Sequence, residues 1–381
     1  MDEYIIRNEE KSPSIPAKIS ALMIVTSVTE LFVKSEKFYY PVFVVLLFIY
    51  FLKHQKGRVK ANFSWLMLFF GLYAFFSTLW SPLTTSINSA FTKVVVLLFL
   101  WLQLQFDYSE EDYRLIRSAF IIQALFFLVV VALFGVSLGE GRLWILRGNV
   151  GADPNSLVVW TLIPIIISFE VGMDKETKPC LRIGAFILIA LLFRIVLQCA
   201  SRAGFFSSAI GVSCCILYAL RYNIRRKPIV AIMIIIVTVA VAVYIYQHLP
   251  PVIILRLQYS DASNLGGRST TWKVLLDLLK RSPLNCVFGF GESGSIAYIS
   301  KVAHNMYVEI LFNQGIVGVG MIVVYMFYAF KNIIHKDIYA TIAFMSVAIM
   351  SATLSEFSSR GVMLAFFLAG ANWFASDANN V

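Results

Sequence analysis

The chain has 381 residues, 59% of them hydrophobic and 14% charged, with a formal net charge of +10 and a mean hydropathy of +0.76. Soluble chains run at about 45–50% apolar and about 25% charged, and the excess here comes in blocks long enough to cross a bilayer, which takes ~20 residues. Composition therefore excludes a soluble enzyme and reads the positive charge as loop charge beside a membrane rather than as a nucleic-acid surface.

Residues 1–18 are polar, with no apolar core ahead of a small-residue cleavage site, so the first span is expected to stay as an anchor. Apolar blocks follow near 19–33, 38–52, 62–80, 87–106, 115–138, 156–171, 181–200, 203–220, 228–249, 306–330, 338–354 and 361–375. None alternates as barrel strands do. The expected fold class is all-α: a polytopic integral membrane protein with about 12 transmembrane helices. They form a single domain over 1–381 with one long loop, about 250–305.

With the N-terminus cytoplasmic, eighteen Lys and Arg fall in cytoplasmic segments, against six in the short segments of the other side. That asymmetry predicts both termini inside and the long loop periplasmic. Lys93 and Arg194 fall inside spans. Arg142, Arg147, Arg202, Arg256, Arg268 and Arg360 lie on the outer side, where topology disfavours them. Each alone has an ordinary reading as a head-group or ion-pair contact. Clustered, and as Arg rather than Lys, they point to an anionic ligand, because guanidinium binds phosphate bidentately and keeps its charge. The five cysteines are scattered and odd in number, which supports neither a disulfide framework nor a zinc site.

Thr270–Lys280 in the long loop places Trp272, Leu275, Leu276 and Leu279 at helical spacing, with Ser269 or Thr270 as cap and Pro283 beyond the end. This predicts a short amphipathic helix, resting on the membrane interface or on the protein's own loop. Gly289, Gly291 and Gly294 match the dinucleotide fingerprint G-x-G-x-x-G. That fingerprint needs a strand before it and a βα unit around it; residues 284–288 could supply a short extended piece, but no βα pattern exists. The glycines read instead as a sharp turn. Gly315, Gly318 and Gly320 read as close helix packing.

Three stretches together resemble the bacterial O-antigen polymerase and O-antigen ligase superfamily of membrane glycosyltransferases. The first is RGNVGADPN from Arg147 to Asn155. The second is Ser201-Arg202-Ala203-Gly204. The third runs from Arg256 to Gly318 and contains GGRSTTW, PLNCVFGFG and HNMYVEILFNQGIVG. The resemblance implies an enzyme acting on the periplasmic face of the inner membrane on a glycan carried by undecaprenyl pyrophosphate. It moves the glycan en bloc to the next lipid-linked repeat unit (polymerase) or to lipid A core (ligase), without cofactor or metal. The polymerase is the expectation carried forward, with a chain-length regulator as partner beside the lipid-linked oligosaccharide and membrane lipids, and no nucleic acid.

On that reading Arg202 and Arg268 stabilise the leaving pyrophosphate, as preorganised cations do where charge develops, with Arg147 and Arg256 in support. His304 is the histidine expected to act as base or to orient the acceptor; His54, His248 and His335 lie elsewhere. Asn305 is expected as a helix cap or a sugar ligand, Asn155 likewise, and Tyr307 as a stacking surface for sugar. Glu309 is an ionisable residue one turn into a span, placed to pair with an arginine or to hold His304. A lipid-linked sugar flippase is the competing class. It is disfavoured because no internal repeat is visible and the charges gather at one boundary, Lys93 and Arg194 excepted.

Overall fold

The computed structural model describes residues 12–33, 36–54, 59–60, 62–138, 141–147, 150–226, 268–354 and 360–374, with isolated positions between 229 and 254. Apart from those positions, the predicted span at 228–249 and the loop up to residue 267, with Arg256, lie outside the described residues. The chain forms α1 (Ile15–Thr26), α2 (Glu36–His54), α3 (Trp65–Phe76), α4 (Ser86–Gln103), α5 (Glu110–Phe134), α6 (Pro154–Met173), α7 (Pro179–Gln198) and α8 (Arg202–Arg226). Then come α9 (Arg268–Lys280), α10 (Pro283–Phe288), α11 (Gly294–Ile299), α12 (Met306–Ile333), α13 (Ile338–Ser351) and α14 (Arg360–Gly370).

The protein is mostly helical, as expected, but twelve full spans are not reached among the described residues. Six helices, α4 to α8 and α12, are long and apolar enough to cross a membrane. Four further apolar helices, Tyr40–His54, Trp65–Leu79, Ile338–Ser351 and Gly361–Gly370, are shorter. A membrane surface is visible on α5. Ile116, Ala119, Phe120, Ala124, Phe127 and Val130 are buried, while Ile122, Leu125, Val129 and Leu133 are exposed along its opposite side. A helix apolar on both faces and exposed on one belongs in lipid rather than water.

The centre of the bundle is α6, whose apolar window is 83% buried, more than any other candidate span. It packs against α5, α7, α8 and α13. On the other side α3 and α4 pack together, α12 packs on α3, and α14 touches both groups. Helix ends gather at two faces. At one, Tyr113 of α5 donates to Glu170 of α6 and to Asp337, which caps α13, while Arg117 pairs with Glu170 at 2.8 Å. At the other, α6, α8 and α12 begin, and His304 lies there.

Two expectations change. The block predicted as a span to residue 138 leaves the helix at Gly135. Residues Gly135–Leu138 instead open a three-stranded antiparallel sheet with Arg142–Arg147 and Val150–Ala152. In sequence the apolar residues of this first strand read as the end of the span, and residues 139–155, with Ile145 fully buried, as an outer loop. Secondly, α12 is not continuous. Gly315 has φ +66° and ψ −167°, and the loop before it crosses there. Phe290 and Gly291 donate their N–H groups to the carbonyls of Phe312 and Asn313 at 2.9 Å each. The fingerprint glycines permit that crossing: a Cβ on Gly289 would lie 2.2 Å from the Asn313 oxygen, and one on Gly291 2.6 Å from the Ser77 oxygen. Residues 283–288 ahead of them are helical rather than extended.

Candidate functional site

The site is built from the starts of helices. Asp153 caps α6: its carboxylate accepts from the N–H groups of Asn155 at 2.8 Å and Ser156 at 3.3 Å, with Pro154 in the first turn. Asn155 is therefore not the cap. Its side-chain oxygen accepts from the Ser201 hydroxyl at 2.7 Å. Ser201 in turn caps α8, accepting from Gly204 N–H at 3.1 Å. Gly204 lets this turn close on α6, since a Cβ there would meet the Val158 side chain at 2.6 Å. The first two sequence motifs are thus one joint, with Arg202 as the first residue of α8 on it. Arg142, from the sheet, donates to the Cys199 carbonyl at 3.0 Å just before this turn.

The third motif meets the joint through His304. Asp153 and Arg268 both lie close enough to act electrostatically on its ring. Partial desolvation first, then the Arg268 guanidinium, push the His304 pKa below its ordinary value, while Asp153 opposes them. Arg268 opens the described helix α9. That helix packs on the protein itself, with Leu275 and Leu279 buried against Phe290, Ala303 and Phe312. Ser269 and Thr270, expected as its cap, lie inside it.

His304 has φ +49°, a conformation that costs a non-glycine residue energy. Its neighbour is fixed on both sides. The Ala303 N–H donates to Glu309 at 2.6 Å, and the Ala303 carbonyl accepts the Trp272 indole at 2.7 Å. Glu309 is buried and also accepts from Asn313 at 3.0 Å and from the Ser295 hydroxyl. Among the described residues it holds the His304 loop rather than an arginine. Asn305 is the cap of α12, accepting from the N–H groups of Tyr307 at 3.0 Å and Val308 at 3.2 Å. The Tyr307 hydroxyl donates to the Ala348 carbonyl at 2.9 Å, which ties that ring to α13. Among the described residues, five non-glycine residues have positive φ, and Ala200, Ser293, Ser300 and His304 all lie at this end.

Arg147 is the last residue of the sheet's central strand, against aromatic rings. Its guanidinium lies 5.8 Å from the centre of the Phe32 ring and 5.4 Å from that of Phe134, within the range of cation–π attraction.

Asp153, Ser201 as a cap and Trp272 as a hydrogen-bond donor were not foreseen in the sequence. An Asp directly before Pro at a helix start was a readable signal for the first. No curated protein matches this chain. Arg147 and Asn155 lie ahead of the stretch that a family model recognises, whereas Arg202, Arg268, His304 and Glu309 lie within it. Residues 186–323 match the O-antigen ligase family model, Wzy_C, and over that stretch the match supports the resemblance to the O-antigen polymerase and ligase superfamily, while the long apolar helices fit an integral membrane protein.

Proposed function

We propose that the protein is an O-antigen polymerase that takes a glycan from undecaprenyl pyrophosphate and transfers it en bloc to the next lipid-linked repeat unit, without a metal. The observation that carries this is the convergence of three separated motifs, through Asp153, Asn155–Ser201 and Arg268, on His304. The acceptor hydroxyl oxygen attacks the anomeric carbon, and its proton passes to His304, whose lowered pKa keeps the ring neutral and able to accept it. The bond to the pyrophosphate breaks, and the leaving group takes the electron pair. Arg202 and Arg268 face that developing charge, and the starts of α6, α8 and α12 add their positive dipole ends. Arg256 and Arg147 are supporting cations in this reading, and Asn155, Asn305, Tyr307 and Glu309 shape the acceptor side. The Lys and Arg asymmetry supports a periplasmic site in the inner membrane with both termini inside. The partners are the lipid-linked oligosaccharide and a chain-length regulator.

A ligase is the second reading, favoured by the description of the matching family model. A gel of surface glycolipid from a strain lacking the gene separates the two. Loss of the long ladder with one repeat still on core means a polymerase. Loss of every core-attached unit, with long chains left on the lipid carrier, means a ligase. An unchanged gel overturns both.

A further inference from the structure

Glu292 sits inside the glycine stretch, 1% exposed. One carboxylate oxygen accepts from Lys93 at 2.6 Å and Ser89 at 2.8 Å, both on α4, and the other from Gln314 on α12 at 2.7 Å. Its backbone carbonyl accepts from Ser81, beyond α3, at 2.6 Å. Lys93, which looked misplaced within a span, is the partner of this carboxylate and is itself 13% exposed.

Buried ion pairs add little stability over apolar packing, because desolvation offsets the attraction; their best-attested use is to fix register. The register fixed here leads to His304. Ser295, three residues on, donates its N–H to the Asn313 side-chain oxygen at 3.1 Å and its hydroxyl to Glu309. Glu309 accepts the Ala303 N–H, and His304 follows. We infer that Lys93 and Glu292 are positioning residues: they set the height of the 289–305 segment on α4 and α12, and with it the place of the His304 ring relative to Arg202 and Arg268. The inference rests on the reading of His304 as the proton acceptor.

The test compares Lys93→Met/Glu292→Met, Lys93→Arg and His304→Ala in membranes, measuring protein amount, kcat and donor KM. The double substitution removes both charges together and is expected to insert at the wild-type level, because no charge is stranded. Its kcat is expected to fall about 10- to 100-fold, the scale of a catalytic group displaced by ~1 Å, with donor KM within about twofold. Lys93→Arg keeps the cation and is expected to retain most of the rate. Should the double variant not insert, Lys93→Met/Glu292→Gln, which also strands no charge and keeps an acceptor for Gln314, takes its place with the same expected fall in kcat. A normally inserted variant with wild-type kcat, beside an inactive His304→Ala, overturns the inference. Full activity in His304→Ala overturns the proposed mechanism instead.

Discussion

Replacing Gly315 by alanine tests the crossing on which the site is built. The backbone there, at φ +66° and ψ −167°, lies in a region open essentially to glycine alone, and holding another residue in it costs about 1–3 kcal/mol. The new Cβ would stand 2.2 Å from the Val287 oxygen, 2.5 Å from its carbonyl carbon and 2.6 Å from the Gly289 nitrogen. These are backbone atoms, so no side chain can turn aside, and overpacking of this kind adds about 1–3 kcal/mol. Together that is roughly 2–6 kcal/mol, a large part of the stability of an ordinary domain. Gly320→Ala is the control. Nothing lies within 4 Å of its added carbon, and alanine in a helix interior gains ~0.5–1 kcal/mol. Thermal unfolding of the detergent-solubilised protein, followed by tryptophan fluorescence, should move down for Gly315→Ala and stay level or rise for Gly320→Ala. Equal midpoints for Gly315→Ala and wild type would refute the reasoning.

Three further outcomes are expected. The rate should fall as pH drops through the lowered pKa of His304, because protonation removes the acceptor; Asp153→Asn keeps the α6 cap but removes the anion that raises this pKa, so the acid limb of kcat/KM should shift to lower pH. Glu309→Gln should leave the protein inserted but lower kcat about tenfold or more, since the Ala303 N–H loses a charged acceptor next to His304; an unchanged kcat would remove Glu309 from the positioning path. Asp337→Ala strips the α13 cap, worth ~0.5–2 kcal/mol, and leaves Tyr113 without that acceptor, at about 1–3 kcal/mol; the melting point should fall while the kcat of the folded fraction holds.

Hydropathy made the helices legible because lipid imposes long apolar runs whatever the tertiary contacts. Asn305 was legible as a cap because an Asx residue ahead of a helix has a local job. The apolar residues of 135–138 hid the first strand of the sheet, since a short strand and the end of a span look alike in composition. Gly315 looked like Gly320, and only the crossing loop distinguishes a glycine that breaks a helix from one that sits open within it. Arg147 was grouped with the phosphate ligands by residue type, yet its described contacts are aromatic. Glu292 was concealed inside a false nucleotide fingerprint. Its partner Lys93 lies far away in sequence, and no local pattern joins them.

The separation of 199 positions between Lys93 and Glu292 also has a meaning in time. At about 5–20 residues per second of synthesis, α4 exists for roughly 10–40 s before the carboxylate that neutralises it is made. During that interval its lysine can only reach toward the membrane boundary along its own flexible stem. The end of the molecule that carries His304 therefore cannot be completed until residue 292 has been made. Chains stopped before residue 292 should be extracted from the membrane more readily than chains stopped after residue 354.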